Sequence, residues 1–186
     1  DPSIVIFESP TNNDIFLAPV DVVITTAITD SLGVAKAQFY SNDYLLFEDT
    51  TQPYSFTWTN LSPAYYTVKV VAVDIVQGKT TNSISFYVNY KPTVQITSPT
   101  NGNFFPPSSS ITINASANDP DITGSITKVD FYNGTNLLFS DASAPYSFPW
   151  INIPMGKYQI RVIAYDNLNT PSDPAIAYVG FHTGLL

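Results

Sequence analysis

The chain has 186 residues, of which 44% are hydrophobic and only 12% are charged, and its formal net charge is −8. The seven basic residues are scattered singly, which predicts no basic patch to neutralise phosphates and argues against nucleic acid as a partner. The absence of cysteine excludes disulfides, thiolate nucleophiles and Cys-ligated metals. No apolar run approaches the roughly 20 residues of a membrane span, so we expect no membrane insertion.

In the first half of the chain, apolar and polar residues alternate over short segments separated by turn residues. Alternate side chains of a strand share one face, so this pattern predicts β-strands, and no segment shows a helical period with caps. Short strands that alternate in this way indicate an all-β sandwich with Greek-key connections. The predicted strands are 4–7, 22–28, 34–40, 44–47, 54–58, 66–73 and 83–90, with a hairpin turn at Asn42 and Asp43.

The second half of the chain repeats the first. The motif SPTN occurs at 9–12 and 98–101, whereas PYSFTW at 53–58 returns as PYSFPW at 145–150. The first motif recurs after 89 residues and the second after 92, which places a three-residue insertion between the second and third strands of the second half, in 118–125. We therefore predict two tandem domains, unit 1 (1–90) and unit 2 (91–186), and expect the chain to be part of a larger protein.

The repeated aromatic motif contains both tryptophans of the chain. Tyr54, Phe56 and Trp58 alternate with Ser55 and Thr57, so the aromatic residues form either a core face or a solvent platform for a sugar. If the aromatic rings faced solvent, only Ser55 and Thr57 would face the core, and the burial energy of three large rings would be lost. Burial of the aromatic residues is therefore favoured. In unit 2, Pro149 replaces Thr57 and cannot donate to a ladder, which predicts an edge strand or a bulge there.

Unit 2 carries four motifs that together resemble one family: VQITSPTNG at 94–102, KVDFY at 128–132, PYSFPW at 145–150 and GKYQIRVIAYD at 156–166. They resemble the bacterial immunoglobulin-like domain, of the type found in secreted glycoside hydrolases, chitinases and surface adhesins. Unit 1 departs at Asn13, where the family has Gly, and at Ala64, where unit 2 has Gly156. The resemblance implies two tandem immunoglobulin-like β-sandwiches and no shared catalytic residues.

Tyr66 and Tyr158 begin the sixth strand of their units after a tight turn. This is the tyrosine-corner position, at which the phenol hydroxyl donates to nearby backbone. We expect each tyrosine to stabilise its own unit.

The sequence offers no set of catalytic groups. Its one histidine, His182, follows the last predicted strand and has no counterpart in unit 1, so we expect a solvated residue. The acidic residues are spread over loops and strand faces, without the cleft that paired carboxylates require. We therefore expect no enzymatic activity.

Calcium is the cofactor that the sequence allows. Asp119 and Asp121 lie in the loop after the second strand of unit 2, and Asp166 begins the loop after the sixth strand. In this topology both loops lie at the end that faces the linker, and calcium prefers such oxygen ligands. The alternative is that Asp and Asn are here only as turn formers. In unit 1 only Asp30 and Asp74 occupy the matching places.

Polysaccharide is a second candidate ligand. By alternation, Tyr40, Tyr87, Tyr132 and Tyr165 point away from the core, where exposed rings bind sugars. The alternative is that these tyrosines form cross-strand pairs that stiffen the sheet.

These observations predict a non-catalytic spacer of a larger secreted or cell-surface bacterial protein. The pair would position a catalytic or adhesive module, and its proline-containing linker NYKP predicts a semi-rigid, elongated monomer. The alternatives are an accessory carbohydrate-binding module and an adhesin stalk that binds a protein partner. A neighbouring domain of the same polypeptide is a further expected partner.

Overall fold

A computed structural model describes residues 2–183 of the chain. This part contains sixteen strands and no helix, and so no helix that is long and apolar enough to cross a membrane. The chain forms two compact units, Asp1–Asn89 and Tyr90–Leu186. The expected boundary after residue 90 lies next to the observed one.

Unit 1 consists of two antiparallel sheets with an added parallel strand. The first sheet has the order β1-β3-β6, and the second has the order β2-β8-β7-β4-β5. The strands are β1 (Ile4–Ser9), β2 (Ile15–Leu17), β3 (Val20–Thr29), β4 (Val34–Ser41), β5 (Tyr44–Asp49), β6 (Tyr54–Leu61), β7 (Ala64–Asp74) and β8 (Lys79–Asn89).

Unit 2 repeats this arrangement. Its sheets have the orders β14-β11-β9 and β10-β16-β15-β12-β13. The strands are β9 (Thr93–Ser98), β10 (Phe104–Phe105), β11 (Ile111–Asn118), β12 (Ile126–Asn133), β13 (Asn136–Asp141), β14 (Ser147–Trp150), β15 (Gly156–Asp166) and β16 (Ala175–Phe181). The predicted class, two tandem β-sandwiches, is confirmed.

Each unit has its own core between its two sheets. The alternation that predicted the strands also selects the residues that the sandwich buries: Phe39 of β4 and Phe131 of β12 are fully buried at matching positions. Tyr54 is buried, and Phe56 and Trp58 pack against the same core. The motif PYSFTW is thus a core strand, as predicted, and not a sugar platform.

Two details of the strand pattern are confirmed. Strand β14, which contains Pro149, lies at the edge of its sheet, where a residue without a backbone donor is tolerated. The loop between β11 and β12 covers 119–125, seven residues, whereas the loop between β3 and β4 covers 30–33, four residues. The difference, 7 − 4 = 3, is the predicted insertion.

The short strands β2 and β10 were not predicted from the sequence. Each has only two or three residues, and each pairs in parallel with the last strand of its unit, β8 or β16. A segment this short shows no alternation that can be distinguished from a loop. The turn before each of these strands has a positive φ, 70° at Asn13 and 85° at Gly102, which both residue types tolerate.

Candidate functional site

The acidic loops of unit 2 lie side by side. Here the acidic loops are residues 119–125, after β11, and residues 167–170, after β15, together with Asp166 at the end of β15. The backbone N–H of Ser125 donates to the side-chain oxygen of Asn167 at 3.1 Å, which joins the two loops. The structure therefore brings Asp119, Asp121 and Asp166 to the same end of unit 2.

The three carboxylates share one electrostatic environment. Burial raises the pKa of Asp121, and the charges of Asp119 and Asp166 raise it further, while the N–H of Tyr90 donates to its carboxylate and lowers the pKa. The net shift of the pKa of Asp121 is upward, so the fold disfavours the charged form of this carboxyl relative to the protonated form.

Asp166 supports the backbone of its own loop. Its Oδ1 accepts the N–H of Leu168 at 2.9 Å and of Thr170 at 2.7 Å. Asp74, at the matching position of unit 1, accepts the N–H of Val76 and of Gly78 in the same way, each at 2.8 Å. Asp166 in unit 2 and Asp74 in unit 1 are thus turn-forming residues at the same position of the fold.

Asp119 differs from its counterpart in unit 1. Its Oδ1 accepts the N–H of Asp121 at 3.0 Å, whereas its Oδ2 is buried and has no hydrogen-bond partner among the described residues. The matching Asp30 also supports its loop through Oδ1, but its Oδ2 accepts the hydroxyl of Ser3 at 2.8 Å. Ser3 corresponds to Pro92 in unit 2, which has no side-chain donor.

The oxygen of Asp119 is the feature of this site that fits a cation. In the part of the chain that the structure describes, however, no three His, Cys, Asp or Glu side chains lie close enough together to hold a metal ion. A cation would need ligands from the loop backbone in addition to the carboxylates.

The four candidate tyrosines lie on the outer faces. We use this name for the side of each five-stranded sheet that points away from the core of its unit. All four rings are half-buried. Lys69 Nζ lies 5.1 Å from the ring centre of Tyr40, and Arg161 Cζ lies 5.4 Å from that of Tyr132. Both contacts are cross-strand cation–π pairs.

The other two tyrosines are also in contact with neighbours. Lys128 Nζ lies 4.2 Å from the ring centre of Tyr165. The ring of Tyr87 lies 4.7 Å from that of Tyr65, its cross-strand partner, which the sequence analysis did not single out. The pKa of Tyr132 is raised to about 12 by burial, by its hydrogen bond with Tyr165 and by the charge of Asp130. Tyr132 thus belongs to a packed polar cluster.

The outer faces collect nearly all of the basic residues. Although these residues are scattered singly in the sequence, six of the seven lie on strands of the five-stranded sheets, at positions that alternate with core residues. Three of the six, Lys36, Lys69 and Lys128, pair with carboxylates, so the absence of a basic patch that could neutralise phosphates stays a prediction. The six are Lys36, Lys69 and Lys79 of unit 1 and Lys128, Lys157 and Arg161 of unit 2.

His182 packs against an aromatic ring rather than standing free in solvent. It follows β16 directly, is half-buried, and its ring centre lies 4.9 Å from that of Phe104 in an edge-to-face arrangement. The expectation of a solvated histidine is wrong in this respect. This contact could not be predicted, because Phe104 lies on β10, a strand too short to be recognised by alternation.

Comparisons with known proteins agree with this architecture. The sequence profile of the family described as bacterial Ig domain matches residues 2–70 and 92–162. The fibronectin(III)-like modules of Clostridium thermocellum CbhA are 30% identical, with a TM-score of 0.62, and cover 98% of this chain and 100% of theirs. Three N-terminal domains of the outer capsid protein Hoc of bacteriophage RB49 are 12% identical, with a TM-score of 0.56 over 99% of this chain and 71% of theirs. No curated protein sequence matches.

Proposed function

The chain belongs to the bacterial Ig domain family, and from this premise we propose that it is a non-catalytic spacer of a larger secreted or cell-surface protein. Domains of this family are generally non-catalytic modules, and they are common in extracellular and surface proteins. The spacer would hold a catalytic or adhesive module at a distance from its neighbour.

One observation carries this proposal. In each unit the short strand near the beginning pairs in parallel with the last strand, β2 with β8 and β10 with β16. A force that pulls the two ends of a unit apart acts along these strands in opposite directions. It loads the hydrogen bonds of the ladder in shear, so that they must break together rather than one after another. This arrangement suits a module that is held at both ends.

Pulling the chain from both ends in a single-molecule experiment tests the spacer proposal. We expect two separate force peaks, one for each unit. Ala18→Pro should lower the peak of unit 1, because the N–H of Ala18 donates to Asn89 O at 2.9 Å next to the parallel ladder. Ala144→Pro is the matched control, since Ala144 also precedes a proline but lies in an exposed loop. A chain that extends without force peaks would contradict the proposal.

We also propose calcium as a ligand of the acidic loops, a role that is independent of the spacer function. The buried, unpartnered oxygen of Asp119 supports it, together with the raised pKa of Asp121 beside two further carboxylates. Titration calorimetry with calcium should show binding to the wild-type chain and weaker binding to Asp119→Asn. Asp30→Asn in unit 1 is the matched control. The absence of a binding signal for the wild-type chain would rule calcium out.

A further inference from the structure

The outer face of unit 2 combines basic side chains that lack a carboxylate partner among the described residues with exposed aromatic rings. Along β15, Lys157, Gln159 and Arg161 alternate with residues that face the core. Residues two apart in a strand are separated by roughly 6.6 Å, so that the three side chains form a regular polar row.

Neither Lys157 nor Arg161 has a carboxylate partner among the described residues. The ion pairs found there are Lys36 with Glu48, Lys69 with Asp43, Lys91 with Asp173, and Lys128 with Asp130. In a chain of net charge −8, two cations on one strand face without an acidic partner are available to an anionic ligand.

An aromatic shelf lies beside this row. Phe104 is 58% exposed and Tyr178 is 55% exposed. The ring of Phe104 lies over Gly180, where a Cβ would stand 2.6 Å from its Cδ1, and His182 packs against the ring by its edge. Only glycine leaves room for this ring, so Phe104 is fixed on the sheet in spite of its exposure.

Tyr178 is fixed as well. Its hydroxyl accepts a hydrogen bond from Nε2 of Gln159 at 3.0 Å, and its backbone N–H donates to the side-chain oxygen of Asn101 at 2.7 Å. Tyr178 and Gly180 are two residues apart on the same strand, so Tyr178 and the ring of Phe104 lie next to each other on the outer face. A shallow depression of about 220 Å³ is lined by both of these residues and by Lys157.

We propose that this surface binds an acidic oligosaccharide, one that carries carboxylate groups on its sugar rings. The C–H face of a sugar ring packs on the electron-rich face of an aromatic ring, which Phe104 and Tyr178 supply. A carboxylate on the same sugar or on the next one pairs with Lys157 or Arg161, and Asn103 and Gln159 add amide groups for the hydroxyls.

The geometry favours this ligand over other anionic polymers. A peptide that adds a strand pairs with a free sheet edge, and the edge at this position is the two-residue strand β10, whereas Lys157, Arg161 and Tyr178 lie on the inner strands β15 and β16. Nucleic acid requires many phosphate contacts, and two unpaired cations supply few of them.

Unit 1 lacks this combination and serves as an internal control. The position of Lys157 is occupied there by Tyr65, and the position of Arg161 by Lys69, which already pairs with Asp43 at 3.2 Å. We therefore expect the acidic saccharide to bind unit 2 alone.

Titration of the full chain with three acidic oligosaccharides tests the proposal: oligogalacturonate, oligomannuronate and a hyaluronan fragment. Amide chemical shifts locate the site and calorimetry gives the affinity. We expect at least one of the three to bind at Lys157, Tyr178 and Phe104, more weakly at higher salt. The methyl ester of oligogalacturonate, which is neutral, should bind weakly or not at all.

Variants separate the site from general attraction. The double variant Lys157→Gln and Arg161→Gln should lose about tenfold in affinity, and so should Tyr178→Ala. Lys69→Gln in unit 1 should bind like the wild type. The proposal is overturned if none of the three saccharides binds, if the double variant binds normally, or if the ester binds as tightly as the acid. Equal binding of polyglutamate or single-stranded DNA also overturns it, since charge alone would then account for the attraction.

Discussion

A single substitution between the repeats leaves a buried carboxylate oxygen without a partner. In unit 1 the hydroxyl of Ser3 donates to Oδ2 of Asp30, whereas in unit 2 the matching residue is Pro92, and Oδ2 of Asp119 has no hydrogen-bond partner in the described part of the chain. A buried polar atom without a hydrogen bond costs about 1–3 kcal/mol. The charge of Asp119 also contributes to the raised pKa of Asp121, after the burial of that carboxyl.

Asp119→Asn should therefore stabilise unit 2 by about 1 kcal/mol in metal-free buffer. The substitution removes the negative charge and keeps an oxygen to accept the N–H of Asp121. Chemical denaturation followed by the amide protection of unit 2 measures the change, and Pro92→Ser should act in the same direction. A loss of stability in Asp119→Asn without metal would show that the free oxygen has a partner in solution.

At the level of elements, the turn before β7 in unit 1 has the same structure as the turn before β15 in unit 2. The hydroxyl of Tyr66 donates to Ser62 O at 2.9 Å, and that of Tyr158 to Pro154 O at 3.1 Å. Each ring also packs edge-to-face on the tryptophan of its unit, Trp58 or Trp150. The tyrosine corner therefore links the turn before β7 or β15 to the core.

Replacing Tyr66 or Tyr158 by Phe should destabilise the affected unit by about 1 kcal/mol, since the ring remains and one hydrogen bond is lost. Urea denaturation of the two variants gives the change in free energy. Tyr44→Phe, at a position that is 75% exposed, is the control and should leave the midpoint unchanged. An unchanged midpoint for both corner variants would contradict the role of the hydroxyl.

At the level of the whole molecule, the pKa values of acidic residues are shifted in different directions in the two units. Several acidic residues of unit 1 bind to groups of the fold. The hydroxyl and N–H of Thr11 lower the pKa of Asp14, the hydroxyl of Ser3 and the N–H of Leu32 lower that of Asp30, and Lys36 lowers that of Glu48. In unit 2 the pKa of Asp121 is shifted in the opposite direction.

These shifts predict that unit 1 loses stability in acid. A carboxyl whose pKa is lower in the folded state stabilises the fold above its unfolded pKa of about 4, and this contribution is lost as the pH falls through the folded pKa. Asp121 has the opposite sign, because its burial favours the neutral form and its protonation removes repulsion from Asp119 and Asp166. Amide exchange from about pH 7 to about pH 3 should show falling protection in unit 1. In Ser3→Ala the loss should be smaller, since Asp30 then contributes less, and equal protection of unit 1 at both pH values would contradict the prediction.

The extent to which the candidate sites were predictable differs between them. Alternation within one strand placed Tyr40 and Tyr132 opposite Phe39 and Phe131, and the topology brought Asp119 and Asp166 to one end of unit 2. The cations of the outer faces follow the same alternation and were open to prediction in each strand. Which of these cations lie on neighbouring strands was not, because that depends on the order of strands in the sheet.

By itself, the sequence determined that this protein consists of two β-sandwiches. It also determined which residues of each predicted strand face the core and where the insertion and the tyrosine corners lie. These properties follow from local alternation and from the spacing of two repeats. The tertiary structure alone decided that Phe104 lies over Gly180. It also decided that, within residues 2–183, Lys157 and Arg161 have no acidic partner and one oxygen of Asp119 has no hydrogen-bond partner. The reason is physical: these features arise between residues that are distant in the chain, and a non-local contact leaves no period in the sequence.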